Sequence, residues 1–532
     1  MLSLKGFDSN TVNRIERLRK ELWVDNSGGE LLRGLTCGGT FCKDIHTNFG
    51  TTDRLYPRAT VGTHRNVTLP DNVLLRIFSF YVDEAYDEDE WHTLVHVCQT
   101  WRNVVFASPR RLRLRLLCTQ GRAAKKTLDV WPALPIIVKD YYFAENLRLQ
   151  GNVIDALTYN DRICEIKIQA VPSLLLNEIA TVKEPFAALT SLVLHSKDES
   201  APALPDSFLG RSVPRLQELS FDGIPSPAVG KLLLSANDLV SLRLWNIPHS
   251  GYISPEEMVT SLSTLTKLKT LYLGFRSPLP LTDRDSESQQ PPLPTQVVLP
   301  ALTSFYFKGD SEYLEDVIAR IDAPLLDTIT IRLFHQLMFD TPRLRDFIHH
   351  TEKFNAPHRV DIDFSRYRCR VTLFRKRGSA YHKILELGIS CAASDWQISS
   401  LIHVCSSSFP PFLSLERLDI HEGRASQPQW KYDVEDEQWV ELLRPFETVK
   451  TLDISETFVG RVAPALKVLA RRERATEVLP ELQVIVLEGP QPPKPIQEAI
   501  GQFVDVRRVS GQPVAIHRRE RIRLWHMRGE IY

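Results

Sequence analysis

A three-residue apolar unit, L-x-x-L-x-L with other apolar side chains admitted, recurs along this chain from residue 163 onward. Copies stand at Leu189/Leu192/Leu194, Leu216/Leu219/Phe221, Leu239/Leu242/Leu244, Leu268/Leu271/Leu273, Leu302/Phe305/Phe307 and Leu326/Ile329/Ile331. Later copies are Leu415/Leu418/Ile420, Val449/Leu452/Ile454 and Leu482/Ile485/Leu487, and Ile163/Ile166/Ile168 reads as a first one. Around 357 to 390 the pattern degrades to Val360-Asp361-Ile362 and Leu385-Glu386-Leu387. Residues two apart point to one side of a strand, so each unit predicts a short strand with one apolar face. Between units the chain often reads helical, as where Ser254-Pro255-Glu256-Glu257 opens a run to Leu262 and Leu265, or where Tyr313, Val317 and Ile318 line one face. One strand and one helix cannot bury such an edge alone. Successive units must stack, strand beside strand, into one continuous core.

Upstream the period changes. Thr68-Leu69-Pro70-Asp71 carries a helix-start signal. Val73, Leu74, Ile77, Phe78 and Tyr81 then form an apolar stripe. An acidic run from Asp83 to Glu90 favours a solvated loop. A second helix is predicted through Leu94, Val97, Cys98, Trp101 and Val105, ending near Ser108-Pro109. Two short helices with such wide faces cannot cover each other. Either the rest of the chain or another protein must cover the remainder.

The composition, 43% hydrophobic and 24% charged, suits a globular chain. With Lys+Arg 65 against Asp+Glu 65 there is no global field for nucleic acid or an anionic membrane, and neither is expected as a partner. No run of about 18 apolar residues predicts a membrane span, and the N-terminus lacks the apolar stretch of a secretory signal. An intracellular protein, cytoplasmic or nuclear, is expected. Of the eight cysteines only Cys37 and Cys42 lie close together. Reduced, mostly buried thiols are therefore expected rather than a zinc site. His92 and His96 lie four apart without the glutamate of an H-E-x-x-H pair, so no metal site is predicted. Walker A, G-x-G-x-x-G and G-x-S-x-G patterns are absent, which leaves no cofactor or catalytic signature. A Cys-His pair is a spatial arrangement that spacing does not address.

At Leu69-Pro70, Val73-Leu74, Ile77-Phe78, Leu94, Val97-Cys98 and Trp101-Arg102 the chain resembles an F-box, in the order L-P-x-x-[VIL]-L-x-x-I-F through V-C-x-x-W-R. With Ser108-Pro109-Arg110-Arg111-Leu112 and Leu128-Asp129-Val130-Trp131-Pro132-Ala133-Leu134-Pro135 it looks like the large fungal group of F-box proteins with degenerate leucine-rich repeats. The separation from Ile77 to Val97 is longer than in the common pattern, with the excess in Asp83 to Glu90. The resemblance implies an α/β protein, a helical F-box followed by an irregular leucine-rich-repeat solenoid. It implies a substrate-recognition subunit of an SCF-type cullin-RING ubiquitin ligase, non-catalytic itself, with the F-box on a Skp-type adaptor and the repeats on a protein substrate. The alternative is a scaffold that binds the adaptor outside ubiquitin transfer. Leu69, Pro70, Val73, Leu74, Ile77, Leu94, Val97, Cys98 and Trp101 match the motif positions, which such proteins divide between adaptor interface and internal core.

The expected organisation is a weakly ordered extension over 1–66, the F-box over 67–117, a connecting segment over 118–160 and the solenoid over 161–532. A Pro-rich insertion over 277–296 interrupts it, and the Arg-rich tail from His517 reads as a closing strand or helix. Residues between or beside the strand leucines face away from the core. They are Arg243, Trp245, Tyr272, Tyr306, Lys308 and Arg332 in the middle units, and Asp419, His421 and Asp453 in late ones. The basic and aromatic middle group suits an acidic or phosphorylated segment.

Overall fold

The computed structural model describes residues 69–83, 91–118, 125, 128–129, 131–140, 147–169, 171–199, 201–278, 296–334, 341–354, 356–391, 396–409, 414–423, 435–471 and 476–519. The expected extension over 1–66, the helix-start Thr68, the acidic run beyond Asp83, most of the Pro-rich insertion and the tail beyond Arg519 lie outside them. Two compact units result, the first reaching Leu117 and including residues 131–135, the second holding nearly everything after that.

The first unit is helical. Helix α1 (Asp71–Asp83) starts with the Pro70 carbonyl accepting from Val73 N at 3.0 Å and Leu74 N at 3.1 Å. Pro70 thus stands just before the helix, where its missing amide costs nothing. The second predicted helix is two, α2 (Trp91–Val95) and α3 (Gln99–Ala107), broken at Cys98, whose backbone is extended at φ −161°. The break lets two indoles serve different partners. Trp91 is buried against Trp131, with ring centroids 5.4 Å apart, and donates its Nε1–H to Arg115 O at 2.9 Å, while Trp101 meets Phe78 at 4.7 Å. The imidazole of His92 stacks on Trp131 at 4.9 Å and 10°.

The second unit is a mixed α/β assembly built on one large, open sheet. The parallel series runs β1 (Ile136–Asp140), β2 (Ile163–Ile168), β3 (Ser191–His195), β4 (Glu218–Asp222), β5 (Ser241–Ile247), β6 (Thr270–Phe275), β7 (Ser304–Gly309) and β8 (Thr328–Leu333), each beside its predecessor. The first strand of this series, Ile136–Asp140, thus lies inside the segment read as a connector, which also holds a helix at Leu147–Leu157. The leucine units sit on the strands as expected. Leu192, Leu219, Leu242, Leu271, Phe305 and Ile329 fall in one pairing row, each at most 1% exposed.

Where the pattern degrades, the order reverses. Next to β8 comes β11 (Ala380–Ser390), then β10 (Arg368–Arg377), then β9 (Arg359–Ser365), and β10 runs antiparallel to both neighbours. A meander joined by tight turns needs no intervening helix, and the spacing that marks strand-plus-helix units disappears. The parallel series resumes with β12 (Arg417–Glu422), β13 (Thr451–Ile454), β14 (Val484–Glu488) and β15 (Ala515–Arg519). Connecting helices include α4 (Ser311–Ile318), α5 (Pro342–His350), α6 (Glu456–Arg471) and α7 (Lys494–Val509). Arg507 of α7 is fully buried and donates from Nη2 to Pro480 O at 2.9 Å and Leu482 O at 3.0 Å, tying the helix to the chain that enters β14.

Candidate functional site

Each unit presents one distinctive surface. On α1 the apolar residues divide into two adjacent stripes. Leu74, Leu75, Phe78 and Tyr81 are buried, and the Tyr81 hydroxyl shares a hydrogen bond with Thr93 Oγ1 at 2.9 Å. Val73 and Phe80, at the i and i+7 positions of the other stripe, point outward at 38% and 50% exposed, with Ile77 half-buried between them at i+4. Leu69 is half-buried and Pro70 exposed at the start of that stripe. Leu94 joins the core, whereas Val97, Cys98 and Trp101 are half-buried around the break between α2 and α3. The sequence periodicity joins Val73, Leu74, Ile77, Phe78 and Tyr81 into one face and leaves out Phe80. Its spacing of seven from Val73 was the available signal.

The face of the sheet opposite the leucines is polar and aromatic. One pairing row places Arg243, Tyr272 and Tyr306 side by side, and the next places Lys308 beside Arg332. The middle residues named from sequence therefore come together. The Tyr272 and Tyr306 rings stack at 5.2 Å and 15°. Trp245 lies against both, at 5.4 and 4.6 Å, where β5 breaks register after Leu244 and Asn246 takes a positive φ of 47°. An irregularity of this kind re-aims a side chain. The Asn246 side chain is fixed by donating Nδ2–H to Asp222 Oδ1 at 2.8 Å. The Arg243 and Arg332 guanidinium carbons stand 5.4 Å from the Tyr272 and Tyr306 ring centres, and Lys308 Nζ is 5.8 Å from that of Phe334.

Beyond Arg332 the same row passes through Gly388 to Arg370. Neither Arg368 nor Arg370 was singled out from sequence, because the meander hides which residues neighbour β8. Arg332 Nη2 and Arg370 Nη1 approach Glu386 Oε1 at 3.7 and 3.4 Å, and Lys383 donates to Glu386 Oε2 at 3.0 Å. Burial raises the Glu386 carboxyl, but Lys383 and Arg370 outweigh it and hold the group below the usual carboxylate range. Burial, aided by Arg332, lowers the Lys308 ammonium, and burial with Arg332 and Arg370 lowers the Arg368 guanidinium.

The late strands carry a different construction. Asp361, Asp419 and Asp453 stand in one row, and side by side such carboxylates would repel. Arg359 donates from Nε and Nη2 to Asp361 at 2.6 and 2.9 Å and reaches Asp419 at 2.7 Å. Arg417 joins Asp419 at 2.7 Å to Asp453 at 2.6 Å, and Arg519 adds a third link to Asp453 at 3.1 Å. All three carboxylates are buried, so Asp419 and Asp453 present no bare acidic surface, while His421 remains half-exposed beside them. Burial, with Asp419 adding to it, pushes the Asp453 carboxyl up to about 6 despite Arg417 and Arg519. The repeated Arg-x-Asp of 359–361 and 417–419 was the sequence signal for this ladder, since residues two apart share a strand face.

Among the described residues no group of three or more His, Cys, Asp or Glu side chains is placed to hold a metal ion, and no helix is long and apolar enough to cross a membrane. Cys118, Cys164, Cys369, Cys391 and Cys405 are buried and unbridged, and Cys98 is half-buried. No family model matches the chain, and no curated protein matches it significantly.

Proposed function

We propose that the protein is a substrate-recognition subunit of an SCF-type cullin-RING ubiquitin ligase, in which α1 to α3 act as an F-box docked on a Skp-type adaptor and the strand-helix series acts as a leucine-rich-repeat domain that holds a client. The observation that carries this reading is the division of α1. Its inner stripe already fills the core of the helical unit, yet a second apolar stripe of Val73, Ile77 and Phe80 is left facing outward, continued at the helix start by Leu69 and Pro70. An apolar strip of this kind has no value to an isolated soluble unit and suits a partner protein that dries it. The polar, aromatic sheet face is then the client surface, with the transfer chemistry left to partners. The gain is proximity, because a held client presents its lysines to the conjugating enzyme as an intramolecular neighbour.

Affinity purification of the wild type beside Val73→Glu/Phe80→Glu, with captured proteins identified, tests the reading. Both residues are exposed, so the substitutions spare the core. Adaptor and cullin should accompany the wild type and vanish together from the variant. Capture of the adaptor without cullin would point to a scaffold outside ubiquitin transfer, and equal capture by both proteins would remove the F-box assignment.

A further inference from the structure

The sheet face gathers positive charge around Gly388. Gly388 carries no side chain, and the stems of Arg332 and Arg368 flank it, with Cγ and Cδ at 3.9 and 3.8 Å from where a Cβ would stand and the Cys369 carbonyl oxygen at 3.6 Å. Lys308 adjoins Arg332 in the same row. Lys308, Arg332, Arg368, Arg370 and Lys383 outnumber the nearby carboxylates Glu386, Asp363 and Asp222. Arg370 is satisfied by Asp363 and Lys383 by Glu386, but among the described residues neither Lys308 nor Arg368 has a carboxylate within ion-pair distance. Beside them Arg332 Nε and Glu386 Oε1 lack a hydrogen bond, as does the hydroxyl of Tyr306, a residue only 5% exposed that lies close to the Arg332 guanidinium. A buried donor without a partner is destabilising, and like charges brought together add to the cost. The arrangement makes sense when an anion completes it.

We propose that Lys308, Arg332 and Arg368, with Tyr306 beneath them, form a binding site for a dianionic phosphoryl group over Gly388. A phosphate offers three acceptor oxygens and about two negative charges, which a carboxylate with two oxygens and one charge cannot supply to three cations. Arg332 is a third exposed at its side chain and supplies the movable part. In the proposed complex an outward swing of Arg332, whose guanidinium lies over the Tyr306 ring, would open the hydroxyl to the same ligand. The flanking rings of Tyr272 and Trp245, with centroids 5.4 Å apart and both half-exposed, give the rest of a phosphate ester an apolar bed. The inference rests on the client-face reading only for what the ligand belongs to. The site itself is tested without any ligase component.

The experiment is thermal unfolding and calorimetric titration of the full chain with inorganic phosphate, with sodium chloride at matched ionic strength as control. Capped phosphoserine and a sugar phosphate form two further arms. Wild type should show a saturable rise in melting temperature with phosphate and none with chloride. Arg332→Gln/Arg368→Gln should lower phosphate affinity by about tenfold or more. A double charge removal elsewhere, Arg444→Gln/Arg508→Gln on exposed helix surfaces, should leave it unchanged. Tyr306→Phe should weaken phosphate about fivefold while changing the melting temperature of the unliganded protein little. Tighter binding of capped phosphoserine marks the ligand as a modified side chain, and tighter binding of the sugar phosphate marks a soluble ester. No saturable phosphate effect, or an equal effect in the Arg332/Arg368 variant, overturns the site whether or not an adaptor binds α1.

Discussion

Asp453 shows how one residue can couple the fold to pH. Its carboxyl titrates near 6 in the folded chain against an ordinary 3.8, chiefly because burial disfavours the charge. The native state therefore binds this proton more tightly than the unfolded chain. The stabilisation from protonation is complete below the unfolded value and is lost as pH rises through about 6. Asp453→Asn carries no such charge. The melting temperature of the variant relative to wild type should rise from about pH 4 to about pH 6 and level off above about pH 7, and a difference independent of pH over that range would show that this carboxyl titrates normally.

At the scale of the element, helix α5 shows capping supplied from outside. Thr341 precedes it without a side-chain hydrogen bond to the helix, and the first-turn amides are met by Glu315 of α4, whose carboxylate accepts from Arg343 N and Leu344 N at 2.8 Å each. A negative group at a helix N-terminus also meets the positive end of its dipole. Glu315→Ala should cost about 2 kcal/mol by chemical denaturation and Glu315→Gln about half that, and an unchanged midpoint for the alanine variant would deny the cap. No local pattern reveals this contact, because 28 and 29 residues separate Glu315 from Arg343 and Leu344. The same limit explains the second helix of the first unit. Periodicity through Leu94, Val97, Cys98 and Trp101 reads as one helix, and only the separate destinations of Trp91 and Trp101 reveal the break at Cys98.

Across the whole molecule, the parallel strand series was legible from its leucines because each strand is one-faced and its partner is the next unit in sequence. The meander over 359–390 was not, since its strands pair in reversed order and its apolar residues no longer mark a helix between them. The aromatic and basic residues of the middle units were legible as a group through strand alternation. Arg368, which completes the proposed phosphoryl site, reaches them only through that meander. The helical segment resembled an F-box in its order of residues, but the split between core and outward stripe needed three dimensions.

The most direct test of the account is a titration of the purified full-length protein with a purified Skp-type adaptor, followed by calorimetry, for wild type and Val73→Glu/Phe80→Glu, with matching circular dichroism to show that both are folded. The account predicts one-to-one binding by wild type and a loss of about a hundredfold or more in the variant, since two charges would be forced into an apolar interface. Absence of binding by folded wild type, or equal affinity of the two proteins, would contradict it.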